Sequence, residues 1–155
     1  MGLFSRKGAQ RPETAAPAPS QPRRRTVVIV DDDMTISDLE ETVFMGRDWR
    51  VLTAYDGMGA LRLVNDHRPE LVLLDLMLPD VPGENVLDAI KSGRLPSKVI
   101  VVTGRYVTKK DFERFSGTVV WVLRKPYPIN DLRALIDWFE GGALQTPKLS
   151  SVGDV

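Results

Sequence analysis

Cysteine is missing from all 155 residues, and histidine occurs once, as His67. No disulfide framework, thiol nucleophile or Cys-ligated metal can therefore be built, and His67 is expected to be an exposed residue of a Pro-flanked loop after the second helix. No apolar run approaches the roughly 18 residues that a membrane span requires, and the N-terminus has no signal-peptide core, so the chain is expected to be cytoplasmic. Net charge is also missing, at +0 overall, but the balance is uneven. Arg6, Lys7, Arg11, Arg23, Arg24 and Arg25 stand against Glu13 alone in the first 25 residues, a net +5, so the rest of the chain carries −5. Residues 1–25, with four prolines among Ala, Ser and Arg, bury too little apolar area to offset ordering entropy and are expected to be a disordered basic tail. Its charges without a fold predict only salt-sensitive, non-specific contact with nucleic acid.

What is present begins at Thr26. Short apolar runs recur at Val27–Val30, Val51–Ala54, Leu71–Leu74, Val99–Val102 and Val119–Leu123. Runs this short and this apolar fit strands buried on both faces of a parallel sheet. Between them the spacing turns helical. Ile36, Leu39 and Val43 predict one helix face behind Thr35 as cap. Gly57 to Asp66 predicts a second helix, halted at Pro69, and Gly83 to Ser92 a third, ending at Gly93. Thr108 to Phe115 carries only Phe112 and Phe115 as apolar anchors. The last helix is expected to follow Asn130 as cap, with Leu132, Leu135, Ile136 and Phe139 on a stripe ending at Gly141. Five strands alternating with five helices predict a doubly wound α/β domain over 26–141. Residues 142–155 are read as a short flexible tail without room for another domain.

The residue after each strand carries the chemistry. Val30 leads into Asp31-Asp32-Asp33, Leu74 into Asp75, Val102 into Thr103 and Leu123 into Arg124-Lys125-Pro126. In a parallel sheet these positions share one edge, so carboxylates, a hydroxyl and an ammonium converge. Crowded carboxylates favour a hard divalent cation such as Mg²⁺. A carboxylate can also act as a nucleophile that forms an acyl phosphate, while Thr103 and Lys125 can stabilise phosphoryl oxygens.

Those pieces, with Leu74-Asp75-Leu76-Met77-Leu78-Pro79 and Val102-Thr103-Gly104, resemble the receiver domain of two-component response regulators, similar to single-domain chemotaxis regulators. The resemblance covers about three quarters of the chain. It implies a flavodoxin-like receiver fold with sheet order 2-1-3-4-5. It implies that Asp75 accepts a phosphoryl group from a sensor histidine kinase or histidine phosphotransfer protein, and that Thr103 and Lys125 sense it. Mg²⁺ would be held by Asp31, Asp32, Asp75 and the backbone carbonyl of Met77, with Asp33 outside that shell and a cis Lys125–Pro126 bond. The protein would then be a phosphoacceptor signalling protein rather than an enzyme, read here as stand-alone.

Some positions depart from the family. Val122 stands where an aromatic residue usually forms a switch, and strand alternation turns the neighbouring Trp121 to the other face. Met77 and Arg105 are ill suited to orient an attacking water, which implies slow loss of the phosphoryl group. Output is expected from the surface of the fourth helix, fifth strand and fifth helix, near Trp121, Val122, Tyr106, Tyr127, Trp138 and Phe139, toward a homodimer or an unknown downstream protein. A phosphate-independent scaffold is the alternative. A haloacid dehalogenase-type phosphatase fits less well, because those enzymes place the nucleophile first and a second acid two residues on, where this chain has Met77.

Overall fold

Strand burial on both faces dictates the architecture. The computed structural model describes residues 23–141; residues 1–22 of the expected 1–25 tail and those from 142 onward lie outside the described residues, while Arg25, expected in the tail, is the first residue of a strand. In chain order the elements are β1 (Arg25–Val30), α1 (Met34–Phe44), β2 (Trp49–Ala54), α2 (Gly57–His67), β3 (Leu71–Leu74), α3 (Gly83–Ser92), β4 (Lys98–Thr103), α4 (Lys109–Arg114), β5 (Val119–Arg124) and α5 (Ile129–Gly141). All strands pair in parallel, in the order β2-β1-β3-β4-β5. Among the described residues no helix is long and apolar enough to cross a membrane.

The period of two divides the strand side chains between two cores. Val28, Val30, Val72, Leu74, Val99 and Val101 face Ala60 and Val64 of α2 and Val86, Leu87 and Ile90 of α3. Val27, Ile29, Leu71, Leu73, Ile100 and Val102 face Val43 and Phe44 of α1 and Leu132, Leu135 and Ile136 of α5. Each such side chain is worth roughly 1.5–3 kcal/mol when withdrawn from water, so the sheet is gripped from both sides. Its order reverses about β1, which makes the C-terminal ends of β1 and β3 the crevice where open α/β sheets bind ligands.

The helices differ from expectation at their ends and on one face. Asp33, not Thr35, caps α1, its side chain accepting from the amides of Thr35 and Ile36, because a carboxylate before the first turn can reach two otherwise unpaired N–H groups. The inward face of α1 holds Ser37, Glu40, Val43 and Phe44, while Leu39 is 49% exposed. Apolar spacing therefore placed Val43 correctly and Leu39 wrongly. Asn130 lies inside the first turn of α5, and His67 closes α2 instead of sitting in the loop beyond it. Helix α4 contains no buried residue and is held by a Thr108–Asp111 capping box, with Phe115 just beyond it buried. A register shift between Val99 and Ile100 leaves Val120 as the extra residue of β5. Beyond it Trp121 turns toward α5, stacking obliquely on Trp138 at 6.2 Å, and Val122 turns toward the opposite core. Phe139 packs on Trp49, with ring centroids 6.1 Å apart, and so lies toward β2 and away from β5.

The start of α3 is pressed against the end of β3. The Gly83 amide donates to the Leu76 carbonyl at 3.1 Å, and a Cβ at Gly83 would lie 2.6 Å from the Asp75 carbonyl oxygen and 2.7 Å from Leu76 Cα. Backbone cannot yield to a methyl group as a flexible side chain can. Gly83→Ala is predicted to lower stability by about 1–3 kcal/mol, read as a reduced urea midpoint at constant slope. An unchanged midpoint would show that α3 is not held this closely.

Candidate functional site

Each functional side chain is presented by the end of a strand whose backbone is fixed by its neighbours. The Asp31 amide donates to Ala54 on β2 at 3.2 Å, the Asp75 amide to Val30 on β1 at 2.9 Å, and the Lys125 amide to Thr103 on β4 at 3.0 Å. These bonds continue the sheet one residue past each strand and bring Asp31, Asp75, Thr103 and Lys125 to one edge. Asp31, Asp75 and Thr103 are buried, whereas Asp32 is exposed.

The carboxylates are close. One oxygen from each of Asp31, Asp32 and Asp75 falls within 4.8 Å of the others. Asp31 Oδ1 accepts from the Asp33 amide at 2.9 Å, and Asp75 Oδ1 accepts from the Met77 amide at 2.9 Å. The second oxygens of both carboxylates receive the Lys125 ammonium, at 2.7 Å for Asp75 Oδ2 and in a short contact for Asp31 Oδ2. Burial pushes the Asp31 carboxyl above its ordinary value, more than the Lys125 bond and the Asp33 amide pull it down. Burial also opposes the charge on Lys125, but its bonds to Asp31 and Asp75 outweigh that, and its net shift is upward. The ammonium thus stays charged.

The surrounding loops are tied down separately. Asp33 is engaged as the cap of α1 and lies outside the three-carboxylate group. Asp80 accepts from the amides of Gly57 and Met58 at 2.7 and 3.0 Å, joining the loop after β3 to the start of α2. Its carboxyl is held below its ordinary value by the Gly57 amide above all. Thr103 Oγ1 accepts from the Arg105 amide at 3.2 Å, which leaves the hydroxyl proton free to be donated elsewhere. The Arg105 guanidinium pairs with Glu84 at the start of α3. Lys125–Pro126 is a cis peptide. Between α3 and α4 lies a small apolar cleft with Leu87, Val101, Val107, Phe112 and Val122 among its walls.

Of the residues read from the sequence, Asp31, Asp32, Asp75, Met77, Thr103 and Lys125 come together at this edge. Trp121 and Val122 lie farther back on β5, on opposite sides. Tyr127 lies on the α1–α5 side, where its hydroxyl donates to Glu40 Oε1 at 2.6 Å. Glu40 escaped the sequence reading, although it stands four residues after Ile36 and four before Phe44, a spacing that would have placed it on the inward face. It is 1% exposed. Burial pushes its carboxyl up from 4.5 to about 7, against the Tyr127 bond that lowers it, with the Asp31 and Asp75 charges adding to the rise. The Tyr127 phenol is likewise pushed up, first by burial and then by Glu40, and remains a donor.

A family model described as response regulator receiver domain matches residues 27–137. The transcriptional regulatory protein KdpE of Mycobacterium tuberculosis is 32% identical over 108 residues, 70% of this chain and 47% of that protein. The chain thus spans about half the length of the curated relatives it matches. A CheY-like response regulator receiver domain protein from Methanospirillum hungatei superposes with a TM-score of 0.64 at 27% identity, covering 77% of this chain and 94% of the other. The beryllofluoride-activated DrrB receiver domain gives 0.64 at 26% identity, covering 77% and 99%; the DrrB response regulator itself comes from Thermotoga maritima.

The Glu40 carboxyl yields a pH prediction. Its raised value means that the folded chain binds the proton more tightly than the unfolded chain. Stability from this group is therefore full below pH 4.5 and is lost as pH rises through about 7. Complete loss would amount to about 3 kcal/mol. Glu40→Gln, which keeps an acceptor for Tyr127, is predicted to flatten that decline and to be more stable than wild type above pH 7. Parallel stability–pH curves for the two proteins would contradict the assignment.

Proposed function

Because the chain belongs to the response regulator receiver domain family, we propose that it is a phosphorylation-dependent switch whose acceptor is Asp75. The observation that carries this reading is the position of Asp75. It is buried at the β1/β3 crevice, bonded to Lys125 and grouped with Asp31 and Asp32. The donor would be a phosphohistidine on a sensor histidine kinase or a histidine phosphotransfer protein. An Asp75 carboxylate oxygen attacks phosphorus in line with the P–N bond. A P–O bond forms, the P–N bond breaks, and the departing imidazole keeps the electron pair and takes up a proton. The product is an acyl phosphate on Asp75.

The surroundings support that step. Lys125, paired with Asp75, can follow the phosphoryl oxygens as charge moves onto them. The Thr103 hydroxyl, accepting from Arg105, can donate its own proton to another of those oxygens. The donor set is all hard oxygen and clusters within 4.8 Å, which fits Mg²⁺. Asp31, Asp32, Asp75 and the Met77 carbonyl would hold it. When bound, Mg²⁺ would neutralise charge shared between those carboxylates and the phosphoryl oxygens. The acceptor is modified and returned by hydrolysis, so the chain acts as a signalling component more than as an enzyme on external substrates.

For output, we place the response at α4, β5 and α5. Helix α4 has no buried residue, a sign of an element with low local stability. The Arg105–Glu84 pair joins the loop before α4, two residues past Thr103, to α3. A hydroxyl drawn toward a phosphoryl group would pull on that loop, which borders the apolar cleft lined by Val107, Phe112 and Val122. The partner would be a second copy of the chain or a downstream protein.

Incubation with phosphoramidate and Mg²⁺ tests the reading by intact-mass measurement. Wild type is predicted to gain one phosphoryl group and lose it on alkaline treatment. Asp75→Asn or chelation should abolish the gain, and Lys125→Met should slow it by about 10²–10³-fold. A phosphorylated Asp75→Asn protein would refute the assignment.

A further inference from the structure

Lys125 is the single ammonium shared by two buried carboxylates, yet it sits on a loop leaving an edge strand. The structure anchors that loop at two points. Before the side chain, the Lys125 amide donates to the Thr103 carbonyl at 3.0 Å. Beyond it, the Tyr127 hydroxyl donates to Glu40 Oε1 at 2.6 Å. Glu40 lies on α1, whose cap is Asp33 and whose Ser37 hydroxyl donates to the Asp31 carbonyl at 3.4 Å. A single rigid element therefore holds Asp31 from one end and the segment beyond Lys125 from its inward face.

We propose that Glu40 and Tyr127 are a positioning pair for phosphoryl transfer, their hydrogen bond clamping the Lys125–Tyr127 segment to α1 and so setting where the Lys125 ammonium stands over Asp75. The proposal rests on the reading of Asp75 as phosphoryl acceptor. Neither residue touches the carboxylate of Asp75 through a hydrogen bond, and both act through Lys125.

Chemistry favours such a role over plain packing. A carboxyl group buried to 1% exposure is a costly way to fill a helix face, since two apolar side chains would pack there without desolvating a charge. What a phenol and a carboxyl add is direction. Their bond fixes a distance that apolar contact leaves loose. Tyr127 from the β5–α5 loop, Asp31 from the end of β1, Asp75 from the end of β3 and Lys125 from the end of β5 are the titratable groups whose fields reach Glu40. The phenol remains a donor throughout the neutral range, so the clamp survives whichever charge state Glu40 takes.

Calorimetric titration of the full chain tests this with two probes: Mg²⁺ alone, and beryllofluoride in saturating Mg²⁺ as a mimic of the phosphoryl group. Lys125 would contact the mimic and not the cation. Tyr127→Phe is predicted to weaken beryllofluoride about tenfold, near the lower end of what one hydrogen bond to a charged group contributes, while the Mg²⁺ affinity stays within about twofold. Glu40→Gln keeps the acceptor and should bind beryllofluoride within about threefold of wild type. The double replacement Glu40→Leu with Tyr127→Phe leaves no polar group unpaired. It should fold at least as stably as Tyr127→Phe alone and still show the tenfold loss.

The proposal is overturned if folded Tyr127→Phe and the double variant both bind beryllofluoride like wild type. It is also overturned if the Mg²⁺ and beryllofluoride affinities fall in parallel, for then the pair merely supports the acidic cluster. If wild type itself fails to bind beryllofluoride, the phosphoacceptor reading falls, and the positioning role with it.

Discussion

Two carboxylates buried side by side at the ends of adjacent strands are the constraint on which the rest of this structure turns. Oxygens grouped within 4.8 Å repel by about 3.5 kcal/mol at an effective dielectric near 20, before the cost of withdrawing them from water. The fold meets this with Lys125, bonded to both Asp31 and Asp75, and with backbone amides from Asp33 and Met77. One ammonium for two carboxylates, with Asp32 nearby, leaves the cluster short of positive charge. That deficit is the charge which the proposed Mg²⁺ would supply. The same geometry suits Asp75 to the proposed role of nucleophile, because its partners hold it in place without consuming it.

Much of this was legible in the sequence because strand ends advertise themselves. Val27–Val30, Leu71–Leu74 and Val99–Val102 are so uniformly apolar that only a doubly covered parallel sheet accommodates them. The strand order came from the family resemblance, and the sheet has it. Given parallel strands, Asp31, Asp75, Thr103 and Lys125 must share an edge. What the sequence concealed were interactions whose two halves lie far apart and look unremarkable separately. Glu40 reads as a surface residue of an amphipathic helix, and Leu39 beside it looked like the inward position. The structure reverses them because Tyr127, 87 residues away, supplies the hydrogen bond that makes a buried carboxyl tolerable. Asp33 likewise looked like one more acid in a run, and only its position one residue before α1 shows it engaged as a cap.

The response surface was less legible for a different reason. The proposed transmission runs through elements held weakly, and weak holding leaves little pattern. Helix α4 is six residues long with none buried, and the register shift that makes Val120 an extra residue is invisible in a run of valines and one tryptophan. Trp121 and Val122 do point to opposite sides, so an aromatic ring on the α5 side cannot replace the one missing from the α4 side. The cleft beside Val122 is left partly open. Movement from Thr103 would pass by way of the Arg105–Glu84 pair and repacking of small apolar groups, a softer coupling than a rotating ring.

The central claim is chemical: the phosphoryl group resides on Asp75 as an acyl phosphate. Reductive trapping tests it most directly. After phosphorylation in Mg²⁺, borohydride converts an aspartyl phosphate to homoserine, and peptide mapping locates the altered residue. The account predicts homoserine at position 75 alone, in proportion to the phosphoryl group bound. Homoserine at position 31 or 32, or phosphate retained on His67 with position 75 intact, would contradict it.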